Sequence, residues 1–181
     1  MSTDKDQFIL AMHHYELCKY CPKKPFKLVS GINSPWYFNI KAALLLDYTK
    51  SIISRLLNYK INEVYDFKPP QPIIGGPANA AYLLVQLVTG IEKFFVYRKK
   101  EKQHGITGAI DGWAVQEGDR VILVEDVITT GQSLLPSIKY VEECGGELLA
   151  IIPVIDRNES DVLGKYRILV RPIYVKEDFL Y

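Results

Sequence analysis

Cysteine is scarce in this sequence: Cys18, Cys21 and Cys144 are the only three among 181 residues. So small and odd a number excludes a dense disulfide framework and favours a reducing compartment. Net charge is also nearly absent, at +1 from 22 basic and 21 acidic residues. No broad field draws such a chain to nucleic acid or to a membrane, so any basic function must be local. No run approaches the roughly 18 uninterrupted apolar residues of a membrane span. The segment before Phe8 is polar and acidic, without the apolar stretch of a secretory signal, and the expectation is a cytoplasmic protein. Repeats, low-complexity tracts and flexible linkers are missing too, which leaves a single domain as the expected organisation. What is present is an ordinary globular composition, 48% hydrophobic and 24% charged, long enough to bury a substantial core.

Periodicity supplies the architecture. Ser2, Thr3 and Asp4 offer caps for a helix in which Phe8, Ala11, Met12 and Tyr15 recur at helical spacing. Residues 26–38 read as extended, punctuated by Gly31 and Pro35. One amphipathic helix is predicted over 41–58, with Ala42, Leu45, Leu46, Ile52, Ile53, Leu56 and Leu57 on one face and Thr49 its single polar member. From residue 70 the pattern alternates. A strand over 72–76 ends in glycines, and a helix follows with Ala80, Leu83, Leu84, Leu87 and Val88 on its apolar face, stopped at Gly90. Then come a strand at Phe94–Tyr97, a polar segment over 98–119, an apolar strand at Val121–Val124 and a helix ending at Gly145-Gly146. Apolar runs at 148–155 and 167–175 complete the series. Continuous apolar strands alternating with amphipathic helices imply an α/β fold with a mostly parallel sheet covered on both faces.

The most informative stretch runs from Val121 through Glu125, Asp126, Thr129, Thr130, Gly131 and Gln132 to Ser133, with a helix directly after it. In an open α/β sheet, ligands bind beyond the carboxyl ends of strands, where Glu125 and Asp126 fall. The loop that follows brings hydroxyls, a glycine and unpaired helix-terminal amides together, a combination suited to phosphate. Two carboxylates for a sugar diol thus lie about one ribose away from a phosphate cradle. That pairing matches a phosphorylated pentose. No GxxxxGK[ST] sequence is present, which disfavours a P-loop nucleotide enzyme.

In its strand–loop–helix context, this composite resembles the binding motif of type I phosphoribosyltransferases for phosphoribosyl pyrophosphate (PRPP). The resemblance implies that Glu125 and Asp126 hold the ribose hydroxyls and orient water on Mg²⁺, and that Thr129, Thr130, Gly131, Gln132 and Ser133 hold the 5′-phosphate. Mg²⁺ suits such a site because it keeps several waters and needs few protein ligands. Three further segments resemble the orotate phosphoribosyltransferase family. Leu28-Val-Ser-Gly-Ile-Asn-Ser-Pro35-Trp-Tyr37-Phe38 looks like its hood segment, bordering the base. Arg98-Lys99-x-x-Lys102-x-His104-Gly105 looks like its mobile loop over the pyrophosphate. Asp156-Arg157 looks like the pair whose arginine sits beside the orotate carboxylate, for which a guanidinium has the right two-pronged shape.

What the resemblance implies is a single domain with a small hood over about 1–40 and a core over about 41–181. Lys102 and His104 are the expected catalytic cations, acting on charge that develops in the transition state. Arg98 and Lys99 would make steadier pyrophosphate contacts; Tyr37, Phe38, Thr129 and Arg157 would meet orotate. A homodimer is implied, with loop 98–112 reaching the neighbouring site. Gly75-Gly76-Pro77-Ala78-Asn79-Ala80 resembles the family's pyrophosphate loop, but Ala80, like Val29 in the hood, stands where many members carry lysine. These departures keep two alternatives open: a transferase for another nucleobase, and a PRPP- or nucleotide-sensing regulator without catalysis. Cys18-x-x-Cys21, with His13 and His14 upstream, lacks a second CxxC, and packing on a helix is the expected use. Trp36 and Trp113 either border the base or pack. Lys176–Tyr181 is expected to dock at a strand end.

Overall fold

The structure is a computed structural model and describes residues 2–28, 31–65, 69–98, 109–159 and 162–180. Its first helix, α1 (Ser2–His14), turns Phe8, Ala11 and Met12 inward at the expected spacing. The helix does not continue to Cys18 and Cys21. Glu16 takes a left-handed conformation (φ 52°), and the Leu17 amide bonds back to the Met12 carbonyl at 2.8 Å, so the chain reverses. Cys18 therefore opens a strand, β1 (Cys18–Tyr20). Strands β2 (Phe26–Lys27), β3 (Asn33–Ser34) and β4 (Trp36–Phe38) follow, and β1 pairs with β4, and β2 with β3, as two antiparallel ribbons.

The helix expected over 41–58 is two helices, α2 (Ile40–Ala43) and α3 (Asp47–Val64). Leu46 is extended between them, and the buried Thr49 hydroxyl donates to the carbonyls of Ala43 and Leu46. That side chain satisfies carbonyls at the break, a local competition with helix typical of threonine. The break also changes the face: Ala43 and Leu44 are buried, while Leu45 is 77% exposed.

Beyond α3 the chain alternates as predicted, except that a strand, β7, interrupts the polar segment over 98–119: β5 (Ile73–Pro77), α4 (Ala78–Leu84) with a 3₁₀ turn to Leu87, β6 (Phe94–Tyr97), β7 (Ile110–Gly112), β8 (Arg120–Ile128), α5 (Leu135–Glu143) and β9 (Glu147–Asp156). The last apolar run divides. Gly164–Leu169 forms a 3₁₀ turn, in which Arg167 is drawn to the Asp156 carboxylate, and only β10 (Tyr174–Val175) joins the sheet as a strand. The sheet order is β10-β9-β8-β5-β6-β7, parallel except where β7 runs against β6.

Side chains of the central strands alternate between two cores. Ile74, Ile122, Val124 and Ile152 face α1, α3 and α4, while Ile73, Val121, Leu123 and Ile151 face α5. Burial on both faces is why these strands read as continuous apolar runs. Two glycines let β5 sit in the middle. A Cβ at Gly75 would enter the Phe95 ring, and one at Gly76 would strike the Val124 carbonyl. The final 3₁₀ turn, Lys176–Phe179, buries Phe179 against Phe8 and Phe38. Among the described residues no helix is long and apolar enough to cross a membrane.

Candidate active site

Strand β8 ends at a cleft of about 790 Å³ whose main walls come from three places in the chain, with Tyr97 and Pro136 completing the lining. Glu125 through Ser133 form one wall, Pro77, Ala78 and Asn79 at the β5–α4 junction the second, and Lys41 on α2 the third. The sheet explains this convergence, because β5 and β8 are parallel neighbours and their carboxyl ends open on the same side.

Glu125 is only 4% exposed. Its Oε2 accepts from the Ser133 hydroxyl at 2.8 Å and its Oε1 from the Asp126 amide at 3.1 Å. Burial, with the Asp126 charge beside it, pushes the Glu125 carboxyl up to about 8, against the pull of the Ser133 hydroxyl. Asp126 is less buried; its Oδ1 accepts from the Val127 amide at 2.7 Å. Thr129–Leu134 forms the loop before α5. Gly131 has φ +84°, and a Cβ there would come within 2.5 Å of Leu163, so glycine is required for both conformation and space. The Thr130 hydroxyl accepts from the Gln132 amide at 3.3 Å and fixes the turn. Thr129 through Ser133 all line the cleft, and a hydroxyl-bearing loop turned by a glycine suits phosphate oxygens.

All seven expected residues from Glu125, Asp126 and the 129–133 loop line this cleft. The other expected site residues that the structure describes do not line it. Arg98 is buried behind the end of β6, its Nε 3.0 Å from Asp111 Oδ2, and Asp111 also accepts the Tyr82 hydroxyl. Lys99, Lys102 and His104 fall outside the described residues. Arg157 is 3% exposed, between the end of β9 and strands β3 and β4, which carry Ser34 and Trp36. Phe38 lies 6.0 Å from its guanidinium and stacks on Trp36, and Tyr37 is partly exposed against Phe26. Trp36 is thus a packing residue, whereas Trp113 is exposed beneath the Lys93 ammonium. Cys18 is buried, its thiol pushed up to about 11 by that burial, with Sγ 3.6 Å from His13 Nδ1.

Sequence reasoning missed Lys41 and Tyr97, which both line the cleft. Lys41 owes its place to α2, whose N-terminus is capped by the Asn39 side chain accepting from Ala42 at 3.1 Å. An asparagine two residues before a lysine was the only local signal, and it becomes legible only once the helix break is known.

Residues 46–169 match the phosphoribosyl transferase domain family. The chain is 38% identical to the orotate phosphoribosyltransferase of Pyrococcus furiosus over 137 residues, 75% of this chain and 73% of that one. It is 33% identical to that of Bradyrhizobium diazoefficiens over 161 residues, 84% and 86% of the two chains. In fold it is similar to the crystal structure of Mycobacterium tuberculosis orotate phosphoribosyltransferase with Fe(III) dicitrate (TM-score 0.73, 24% identity, 98% of this chain and 99% of that one). The domain match and relatives 33–38% identical over three quarters or more of this chain agree with the cleft at the end of β8: the chain belongs to the orotate phosphoribosyltransferase family.

Proposed function

We propose that this protein joins orotate to the phosphoribosyl group of PRPP, giving orotidine 5′-monophosphate and pyrophosphate. The observation that carries the reading is the union, in one cleft, of the Glu125–Asp126 pair with the 129–133 loop. The loop receives the 5′-phosphate, and the two carboxyl groups hold the ribose hydroxyls. N1 of the orotate anion bonds to C1′ as the C1′–O bond breaks, and the electron pair leaves on the pyrophosphate. The N1 proton passes to water or to the departing pyrophosphate, so Glu125 and Asp126 position the sugar and take no proton from the base. Holding C1′ and N1 in line is itself a large part of the acceleration.

The donor set suits magnesium that travels with the substrate. Among the described residues no cluster of three His, Cys, Asp or Glu offers a metal cage, while two adjacent carboxyl groups can anchor a hydrated ion from its outer shell. Magnesium, when bound, neutralises diphosphate oxygens. Lys102 and His104 add cations as charge grows on the leaving group, and Lys99 steadies it. Arg98, held by Asp111, anchors the start of that loop. Tyr37, Phe38, Thr129 and Arg157 border the base beneath the hood of residues 1–40. The active unit is a homodimer in which loop 98–112 serves the neighbouring site. Three free cysteines fit work in the cytoplasm.

Incubation with PRPP, Mg²⁺ and a panel of nucleobases, with pyrophosphate release as the readout, tests the assignment. Orotate should turn over and the reaction should stop on chelation. Turnover with another base alone would move the specificity, and tight PRPP binding without any turnover would favour a sensor.

A further inference from the structure

Arg157 makes an incomplete pair. Its Nη2 donates to the Ser34 hydroxyl, to the Trp36 carbonyl at 3.0 Å and to Glu159 Oε1 at 3.1 Å. Its Nε is buried and has no hydrogen-bond partner among the described residues. Glu159 mirrors this. Oε1 takes both the Arg157 bond and the Ser34 hydroxyl at 2.7 Å, while Oε2 is buried without a donor among the described residues. A guanidinium and a carboxylate that meet without restraint form a fork of two parallel bonds. The same segment shows such a fork one residue earlier, where both terminal nitrogens of Arg167 reach the two oxygens of Asp156. Glu159 stands only two residues from Arg157, across Asn158 in a left-handed turn (φ 49°), and this short tether accompanies the single-pronged approach. The result is a nearly closed arginine site holding half of the carboxylate contact that it can make.

We infer that Glu159 is an internal substitute for the carboxylate of the base. It compensates the buried Arg157 charge while the site is empty and yields the guanidinium to orotate, whose untethered carboxylate completes the fork. The inference rests on the proposed orotate reading. Exchange of one carboxylate for another keeps the buried guanidinium paired throughout, which avoids the strong penalty for leaving it alone. It also confers selectivity, because a pyrimidine without a carboxylate has nothing to offer in place of Glu159. Ser34, bonded to both partners, links the exchange to the Trp36–Phe38 strand packed over the arginine.

Glu159→Gln tests this, since it keeps the shape and an acceptor for Ser34 but removes the competing charge. The apparent affinity for a ligand is reduced by the fraction of protein whose site is free, so the KM for orotate should fall by about fivefold. The KM for PRPP and the affinity for uracil should stay within about twofold. Glu159→Ala provides a second variant of the same sign if the glutamine protein folds poorly, as judged by thermal melting. An unchanged or raised orotate KM in a well-folded variant overturns the inference and leaves the transferase reading standing. A wild-type protein inert towards orotate overturns that reading itself, and the inference with it.

Discussion

Glu125 couples the chemistry of the site to the stability of the chain. Its carboxyl titrates near 8 in the folded protein, against an ordinary value of 4.5, because it is buried beside Asp126. The folded protein therefore keeps a proton that the unfolded chain releases, and between about pH 4.5 and 8 stability falls as pH rises. One group contributes at most about 1.4 kcal/mol per pH unit to that slope. Glu125→Gln should flatten the dependence of melting temperature on pH between 5 and 8, and should melt above the wild type at pH 8 and higher. Parallel curves for the two proteins would show that Glu125 carries no proton in the fold. The same burial bears on binding. A neutral Glu125 beside Asp126 limits the charge that repels an incoming diphosphate, at a cleft where Lys41 is the one cationic lining residue among those described.

At the scale of elements, the break between α2 and α3 matters most for the site, since it swings Lys41 to the cleft while α3 lies along the core. Thr49 holds that break through two carbonyls. Thr49→Val keeps the volume and loses the hydroxyl, leaving buried carbonyls short of a donor, and should cost about 1–3 kcal/mol. For a chain of this size that is a fall of roughly 2–10 °C in melting temperature, measurable by calorimetry. No change would mean that water replaces the hydroxyl. This element also marks what the sequence discloses. The β8 strand and its loop were legible because an apolar run, an acidic pair and a Thr/Gly turn carry their meaning locally. The α2–α3 break was not, since periodicity registers which side chains are apolar and not which carbonyl a threonine reaches. For the same reason Arg167–Leu169, the end of a 3₁₀ turn, read as the start of the last apolar run: Ile168 and Leu169 look like core, but Arg167 is committed to Asp156, eleven residues earlier.

For the whole molecule, the sheet order sets β6 and β7, the strands on either side of residues 99–108, next to each other, with β7 outermost. The proposed service of the 98–112 loop to a second subunit is tested by hybrid dimers. Lys102→Ala should lose about 10² to 10³ in turnover, the scale of one preorganised charge-stabilising donor. Asp126→Ala should be nearly inactive for loss of the ribose contact. If loops are exchanged, a dimer of one subunit of each kind carries one doubly damaged site and one intact site, so mixing should restore up to about half of the activity per hybrid. Hybrids, confirmed with differently tagged chains, that stay at the parental level would show each loop acting on its own site. Another long-range tie lies within one chain. Phe179 packs against Phe8 and Phe38, so the first helix and the ribbon over Arg157 share a contact that is synthesised long after both of them. During synthesis the sheet can assemble from β5 onwards while the segment before residue 40 waits, its aromatic side chains uncovered, for the 176–179 turn to emerge. The cleft at the end of β8 can therefore form before the strands over Arg157 are covered, and that interval is when the aromatic side chains before residue 40 are most exposed to chaperones and to aggregation.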